Sequence, residues 1–259
     1  MKRVLLIDAD YWLYVINSQY HETPTRIALV EDFKRISRQL CNGAKTSHYA
    51  FLLGDPINNF RKGIYKVAAY KGNRTPLDAN AQANHDLMRD VLETEFNAYW
   101  VKSLEADDLI SYLGHQKSEE TTYVISSPDK DLNQVPGERL LKGSSRVVID
   151  ETEAENWLCM QMLTGDTVDN IHGIPGIGPV KAAKILAAAG SKHFAVKEQY
   201  HKHYGVYYGE IIYQETYSTV RLMSQFHPCF FRFEASLKLF RDVIFKPTEL
   251  NFYELFNGL

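Results

Sequence analysis

Arg3-Val4-Leu5-Leu6-Ile7 is a short, nearly continuous apolar run that ends at Asp8, with Asp10 two residues further on. A continuous run, rather than an alternating one, suits a strand buried on both faces, as in a parallel sheet covered by helices. His48-Tyr49-Ala50-Phe51-Leu52-Leu53 repeats the pattern and closes on Gly54 and Asp55. Ala98-Tyr99-Trp100-Val101 reads as a third strand, and Thr122-Tyr123-Val124-Ile125-Ser126 as a fourth, followed by Asp129 and Asp131. Between them the apolar spacing turns helical. Ile27, Val30, Phe33, Ile36 and Leu40 mark a helix over 27–40, and further helices are expected from near Asn80 and through Leu109, Ile110 and Leu113. This alternation predicts βαβ units, hence an α/β fold with a mostly parallel central sheet flanked by helices.

In open parallel sheets, ligands gather outside the carboxyl ends of the strands. Three strands here deliver acids just past that end: Asp8, Asp55, and Asp129 with Asp131. A helix cap or a turn explains any one of them. Three in the same topological position point to one site. Glu105-Ala106-Asp107-Asp108 opens a helix, where the macrodipole also favours acids. Spacing leaves open which of Asp107 and Asp108 faces inward, because a Glu105 that precedes the first turn allows either. Gly165-Asp166-Thr167-Val168-Asp169-Asn170 adds two carboxylates three residues apart. Packed together, so many like charges would raise one another's pKa values. Hard divalent cations, Mg²⁺ or Mn²⁺, suit such an oxygen-only set. Two of them, about 4 Å apart, stabilise attacking and leaving oxygens in phosphodiester cleavage. The residues read as a metal-dependent nuclease.

Asn170 runs on into Ile171-His172-Gly173-Ile174-Pro175-Gly176-Ile177-Gly178-Pro179. Gly173, Gly176 and Gly178 permit positive φ and a close approach of ligand to backbone. Pro179 suits the first position of an alanine-rich helix, whose free N–H groups, with Lys181 and Lys184 beside them, form an anion cradle. Between Asp55 and Asn80 lie Phe60-Arg61-Lys62-Gly63, Lys66 and Tyr70-Lys71-Gly72-Asn73-Arg74. Such a stretch offers cations for a nucleic-acid backbone and rings for bases, which makes Arg61 and Lys66 candidate DNA contacts.

Composition narrows the class. The 259 residues are 45% hydrophobic, enough for a large core. A net charge of −3 speaks against nucleic acid unless the acids are gathered at a metal site. Cys41, Cys159 and Cys229 are dispersed, favouring a reducing compartment. The histidines show no zinc-site spacing. No long apolar run occurs and the N-terminus enters a strand directly, so neither a membrane span nor a signal peptide is expected.

Taken in order and spacing, IDAD (7–10), LLGD (52–55), YKGNR (70–74), EADD (105–108), SSPDKD (126–131), GDTVDN (165–170) and GIPGIGPVKAAKIL (173–186) resemble the 5′-nuclease (flap endonuclease) family. That family includes the 5′–3′ exonuclease domain of bacterial DNA polymerase I and stand-alone phage 5′-exonucleases. The resemblance covers roughly residues 2–190. It implies a PIN-like 5′-nuclease fold: a catalytic α/β core over 1–164 with a helical arch near 56–80, then over 165–259 a helix–hairpin–helix type duplex-binding element and a C-terminal helical region packed on the core.

By the same resemblance, Asp8, Asp55, Glu105 and Asp107 match ligands of a first metal ion. Asp129, Asp131, Asp166 and Asp169 match those of a second, and Asp108 matches a further aspartate. Lys71 and Arg74 match residues that contact the scissile phosphate, and Tyr70 resembles an aromatic that stacks on a terminal base. The 173–178 hairpin resembles an element that grips duplex DNA, often with a bound K⁺. Pro128 and Lys130 are expected to take no part in the chemistry. The implied activity is a Mg²⁺-dependent, structure-specific 5′-nuclease acting on flapped, nicked or 5′-ended duplex DNA in replication or repair. Primer removal from RNA–DNA hybrids is the alternative, and the complete carboxylate set disfavours a non-catalytic junction binder. A cytoplasmic monomer of the stand-alone type is expected (in the host cytoplasm if phage-encoded), working beside a replicative polymerase. The aromatic segments 207–226 and 230–240 are expected to pack as core.

Overall fold

The computed structural model of the protein describes residues 2–116, 120–141 and 145–245. Its centre is a five-stranded sheet of β1 (Lys2–Asp8), β2 (His48–Leu52), β3 (Thr121–Ser126), β4 (Gly137–Leu140) and β5 (Arg146–Ile149), in the order β2-β1-β3-β4-β5. β1 runs parallel to both neighbours, with Leu6 opposite Ala50 and Ile125. β3 and β4 are parallel, and β5 closes the edge antiparallel to β4. Because β1 is central and covered on both faces, Leu5, Leu6 and Ile7 are all fully buried, which is why its sequence is continuous rather than alternating.

The helices are α1 (Ala9–Asn17), α2 (Arg26–Ala44), α3 (Arg61–Ile64), α4 (Ala79–Glu95) and α5 (Ala106–Gly114), then α6 (Glu151–Thr164), α7 (Pro179–Ala187), α8 (Lys192–Tyr204), α9 (Val206–Val220) and α10 (Phe230–Phe245). Leu13, Phe33 and Val91, from α1, α2 and α4, pack with Leu5 and Ile7 in one core cluster. Leu6 instead packs with Leu109 and Tyr112 of α5 and with Leu237 and Phe240 of α10. A third cluster joins α6 to α9 through Leu158, Met162, Leu186, Tyr200 and Tyr213, and draws in Tyr65 and Tyr70 from the loop after α3. Among the described residues, no helix is long and apolar enough to cross a membrane.

Three expectations are corrected. Ala98–Val101 is not a strand: Tyr99 makes a single parallel bridge to Leu52, and Asn97 and Ser103, both at positive φ (49° and 67°), turn the chain away on either side. β4 and β5 extend the sheet where no strand was expected, because both are four residues long and β4 carries a buried cation, Arg139. No helical arch spans 56–80; before α4 begins at Ala79 only α3 is helical there, and the turns after it lie down on the rest of the molecule. Tyr65 accepts the His172 N–H through its hydroxyl (2.8 Å), the Lys71 N–H donates to the Asp169 carbonyl (2.8 Å), and the Asn73 amide donates to the Thr167 carbonyl (2.7 Å). The aromatic segments near the C-terminus split. Tyr213, Phe230 and Phe240 are core, whereas Tyr207 is 73% exposed. Residues 246–259 of the expected C-terminal region lie outside the described residues.

Candidate functional site

Asp8 leaves β1 and caps α1, accepting the Tyr11 N–H (3.2 Å), while its other oxygen takes the Ser127 hydroxyl (2.7 Å). That hydroxyl oxygen accepts the Asp129 N–H (3.1 Å), and Asp129 in turn accepts the Asp131 N–H (2.8 Å), starting a short 3₁₀ turn over Lys130–Gln134. One chain of hydrogen bonds thus ties the end of β1 to the loop after β3. Glu105 stands at the N-cap of α5, outside the regular turn, so it and Asp107 reach the same side although only two residues apart. Asp166 belongs to β6 (Gly165–Asp166), which pairs with β7 (Ile171–His172), and Asp169 sits in the turn between them. These seven acids, with Asp10, Lys71, Arg74, Lys130 and Gln161, line one cavity of about 530 Å³.

Within the cavity the carboxylates fall into two sets. Burial pushes Asp8 up to about 7, with the Asp10 charge adding to it, and burial with the charges of Asp129 and Asp166 does the same to Asp131. Asp10 is raised by burial, and Asp107 is raised well above the carboxylate range by burial and the Asp8 charge. Asp107 Oδ1 is buried and accepts no hydrogen bond within the described structure. The other set already holds cations. Glu105 is buried, which raises it, yet Lys71 and Arg61 bring it down to about 2. Lys71 Nζ pairs with Glu105 and lies 3.6 Å from Asp169, while Arg74 donates to Asp169 at 2.7 Å. Lys130 Nζ pairs with Asp166 at 2.7 Å.

Among the described residues, no three His, Cys, Asp or Glu side chains are closed up into a ready metal-binding group. The chain's own lysines and arginines occupy part of the acid set. The donors nonetheless fit a hard divalent ion: they are all oxygen, several are raised for want of a counter-charge, and one oxygen is orphaned and buried. Asp8, Asp10, Asp107, Asp129 and Asp131 would hold such an ion by drawing together around it. Glu105, Asp166 and Asp169 could join by giving up their cations.

Several expected site residues are placed elsewhere. Asp108 is corrected as a metal candidate: it is 0% exposed, does not line the cavity, and its two oxygens take the Arg61 guanidinium at 2.7 and 2.8 Å. Arg61 is corrected with it. At 1% exposure it also donates to the Thr219 carbonyl (2.8 Å) and reaches Glu105 (3.2 Å), so it anchors structure and cannot meet a DNA backbone. Tyr70 is no stacking platform. It is 6% exposed, and its hydroxyl bridges Glu105 (2.9 Å) and Asp169 (3.0 Å). Asp55 follows β2 as expected but does not line the cavity; it accepts the N–H groups of Ile57 (2.8 Å), Asn58 (3.0 Å) and Ser103 (2.7 Å). Lys66 is exposed and outside the cavity, on a turn whose backbone donates to Glu215.

The hairpin glycines differ in kind. Gly176 has φ +75°, which favours glycine, while Gly173 is needed because a Cβ would meet the Thr164 carbonyl carbon at 2.2 Å. Gly178 caps α7 at φ −88°, and a Cβ there would meet nothing within 4 Å. Lys181 and Lys184 are exposed on α7, with Lys181 Nζ 3.3 Å from the Gly176 carbonyl. Four cavity-side residues were missed in the sequence. Asp10 carried a signal, lying two residues from Asp8. Lys130 lay in plain view between two acids. Gln161, which donates to Asp131 at 2.5 Å across 30 residues, and Arg139, which donates to the Ser127 and Asp129 carbonyls at 2.9 and 2.8 Å, carried none.

Residues 3–158 match the family model described as the 5′-3′ exonuclease, N-terminal resolvase-like domain. DNA polymerase I of Rhizobium leguminosarum is 31% identical over 169 residues, which is 60% of this chain and 16% of that protein. The flap endonuclease Xni of Aeromonas salmonicida (strain A449) is 28% identical over 208 residues, which is 74% of this chain and 78% of that protein. Two solved structures share the fold. One is the bacteriophage T5 5′-exonuclease with divalent metal ions (zinc) bound, at TM-score 0.69 and 17% identity, covering 94% of this chain and 98% of that one. The other is the T5 flap endonuclease in a pseudo-enzyme-product complex with DNA and metal ions, at TM-score 0.66 and 14% identity, with the same coverage of 94% and 98%.

Proposed function

The chain belongs to the 5′-3′ exonuclease family, whose N-terminal resolvase-like domain its residues 3–158 carry, and on that premise we propose that it is a divalent-metal-dependent 5′-nuclease acting on flapped, nicked or 5′-ended duplex DNA. The observation that carries this reading is the single cavity in which seven family-motif acids meet Lys71 and Arg74. The relatives lend it direction, one being a flap endonuclease and one a structure with DNA and metal ions.

In this reading Asp8, Asp10, Asp107, Asp129 and Asp131 hold the ions, with Glu105, Asp166 and Asp169 completing the set. Mg²⁺ or Mn²⁺ bound there supplies an activated water and charge stabilisation for the leaving oxygen. Lys71 and Arg74 exchange their carboxylate partners for the scissile phosphate and neutralise it as charge develops. Tyr70 and Arg61 keep Glu105 in place from below, and Ser127 does the same for Asp8. Away from the cavity, the N-terminus of α7 with Lys181 and Lys184 binds the duplex as a helix–hairpin–helix type element, and the 173–178 hairpin would hold a K⁺ that adds positive charge beside the phosphate. We take 1–164 as the catalytic part and the remainder as the duplex-binding part of a cytoplasmic monomer that works beside a polymerase.

One assay tests the reading. End-labelled flap, nicked-duplex and RNA–DNA hybrid substrates are incubated with Mg²⁺ and with EDTA. Cleavage of the DNA flap or nick in Mg²⁺ alone is expected. Preference for the hybrid would shift the role to primer removal, and no cleavage of any substrate would sink the nuclease reading.

A further inference from the structure

Lys130 was expected to be idle, yet its side chain crosses the cavity mouth. It leaves the first position of the 3₁₀ turn, which Asp129 caps, and its ammonium reaches Asp166 at 2.7 Å. The pair is lopsided: the Lys130 side chain is 50% exposed and that of Asp166 is 3% exposed. Arg74 repeats the arrangement, its 52% exposed side chain pairing with the 12% exposed Asp169, and Lys71 pairs with Glu105 in the same cavity. Three cations therefore stand at one opening, and each holds an acid that belongs to the oxygen set.

We propose that Lys130 is a third phosphate-binding residue of this site, holding Asp166 while no ion is there and turning to the substrate backbone once Asp166 is given over to an ion. The proposal rests on the nuclease reading and deepens it. Three physical points carry it. An ammonium on a four-carbon stem presents rotatable donors and can change partners without rearranging the backbone. The Lys130 end is half exposed and regains water on leaving, and the ion that takes the buried Asp166 supplies the counter-charge Lys130 gives up. Once an ion has taken the carboxylate, an unpaired cation remains in the cavity that Lys71 and Arg74 also line, where a phosphate next to the scissile one is the available anion. A solvated surface pair with no such role would look the same at rest but would respond differently to removal.

The test uses the full chain with Lys130→Gln and Lys130→Arg, first confirmed to melt like the wild type. Mn²⁺ binding is measured without DNA. Removing the competitor for Asp166 should tighten it about two- to fivefold in Lys130→Gln. Binding of a nicked duplex is then measured in Ca²⁺ over a range of salt. Lys130→Gln should bind more weakly, with the slope of log affinity against log salt smaller by about one, and Lys130→Arg should recover that slope. Unchanged Mn²⁺ affinity together with an unchanged salt slope would overturn the proposal. Tighter Mn²⁺ binding with an unchanged slope would also overturn it, leaving Lys130 as a counter-ion only. Failure of the nuclease reading looks different, because then the wild type itself cleaves nothing.

Discussion

The two walls of the cavity are built from the same residue type and behave in opposite ways. On one wall Asp8, Asp10, Asp107 and Asp131 are all raised, chiefly by burial with neighbouring carboxylates adding to it, and Asp107 keeps an oxygen without a donor. On the other wall Glu105, Asp166 and Asp169 are matched to Lys71, Lys130 and Arg74. Buried charge is tolerable only when paired, so the first wall is a standing demand for cations and the second is already supplied. The difference separates two tasks. The unpaired wall suits mobile ions, and the paired wall keeps permanent cations ready for an arriving phosphate. The division cuts across motif order, since Glu105 and Asp107 share one motif and fall on different walls.

The largest effect should come from the unpaired wall. Asp8→Asn or Asp107→Asn removes an ion ligand, and cleavage should drop on the order of a thousandfold or more, as expected for several kcal/mol of lost charge stabilisation. The same substitutions relieve like-charge repulsion, so without metal these variants should melt no lower than the wild type. A variant that loses activity and also melts well below the wild type in EDTA would break the contrast, because the acid would then be holding structure.

Next in size is Lys71→Ala. A cation aimed at charge that develops in the transition state should cost on the order of a hundredfold in single-turnover rate when removed. Affinity for a nicked duplex in Ca²⁺ should change little. If affinity collapses while the rate of the bound complex holds, Lys71 is a general backbone contact and the paired wall does not act on the chemical step.

Smaller again is the stability of the paired wall itself. Glu105→Gln leaves Lys71, whose side chain is 21% exposed, with only the longer 3.6 Å pair to Asp169, and weakens the hold of Tyr70 and Arg61. Partial exposure screens the loss, so about 1–2 kcal/mol and a melting point lower by a few degrees are expected in EDTA. Asp107→Asn measured beside it gives the contrast directly, as only Glu105→Gln should destabilise the ion-free protein.

How much of this was legible follows from where each partner lies. β1 and Asp8 were readable because a fully buried strand writes its burial locally, as an unbroken apolar run. Asp107 against Asp108 was not, since the choice depends on Arg61, 47 residues away from Asp108 in sequence. Arg61 itself sits in a basic, aromatic stretch, and nothing in that composition separates a buried clamp from a surface contact. Tyr70 was misread for the same reason, its two carboxylate partners lying 35 and 99 residues away. β4 eluded pattern because a strand with a buried arginine carries the opposite of the usual signal. Motif order located the cavity well. Which motif acid is paired, and with what, is set by contacts that only the folded chain brings together.

The smallest effect expected is at Gly178, and it bears on whether the paired wall must also supply DNA affinity. Gly178→Ala places a methyl group where nothing lies within 4 Å, at a φ of −88° that any residue adopts, so the folded protein should not notice it. If the N-terminus of α7 holds a duplex phosphate, that methyl group stands where the phosphate approaches, and affinity for a nicked duplex should fall about three- to tenfold, a loss of up to about 1.4 kcal/mol. Gly176→Ala makes a poorer probe, because its φ of +75° would add backbone strain to any loss of contact. Fluorescence anisotropy in Ca²⁺, with melting curves alongside, reads both quantities. Wild-type affinity in Gly178→Ala would mean that the duplex does not come close to α7. The binding energy would then have to come from Lys71, Arg74 and Lys130, and Lys71→Ala would have to lose affinity as well as rate, which would undo the separation of tasks between the two walls.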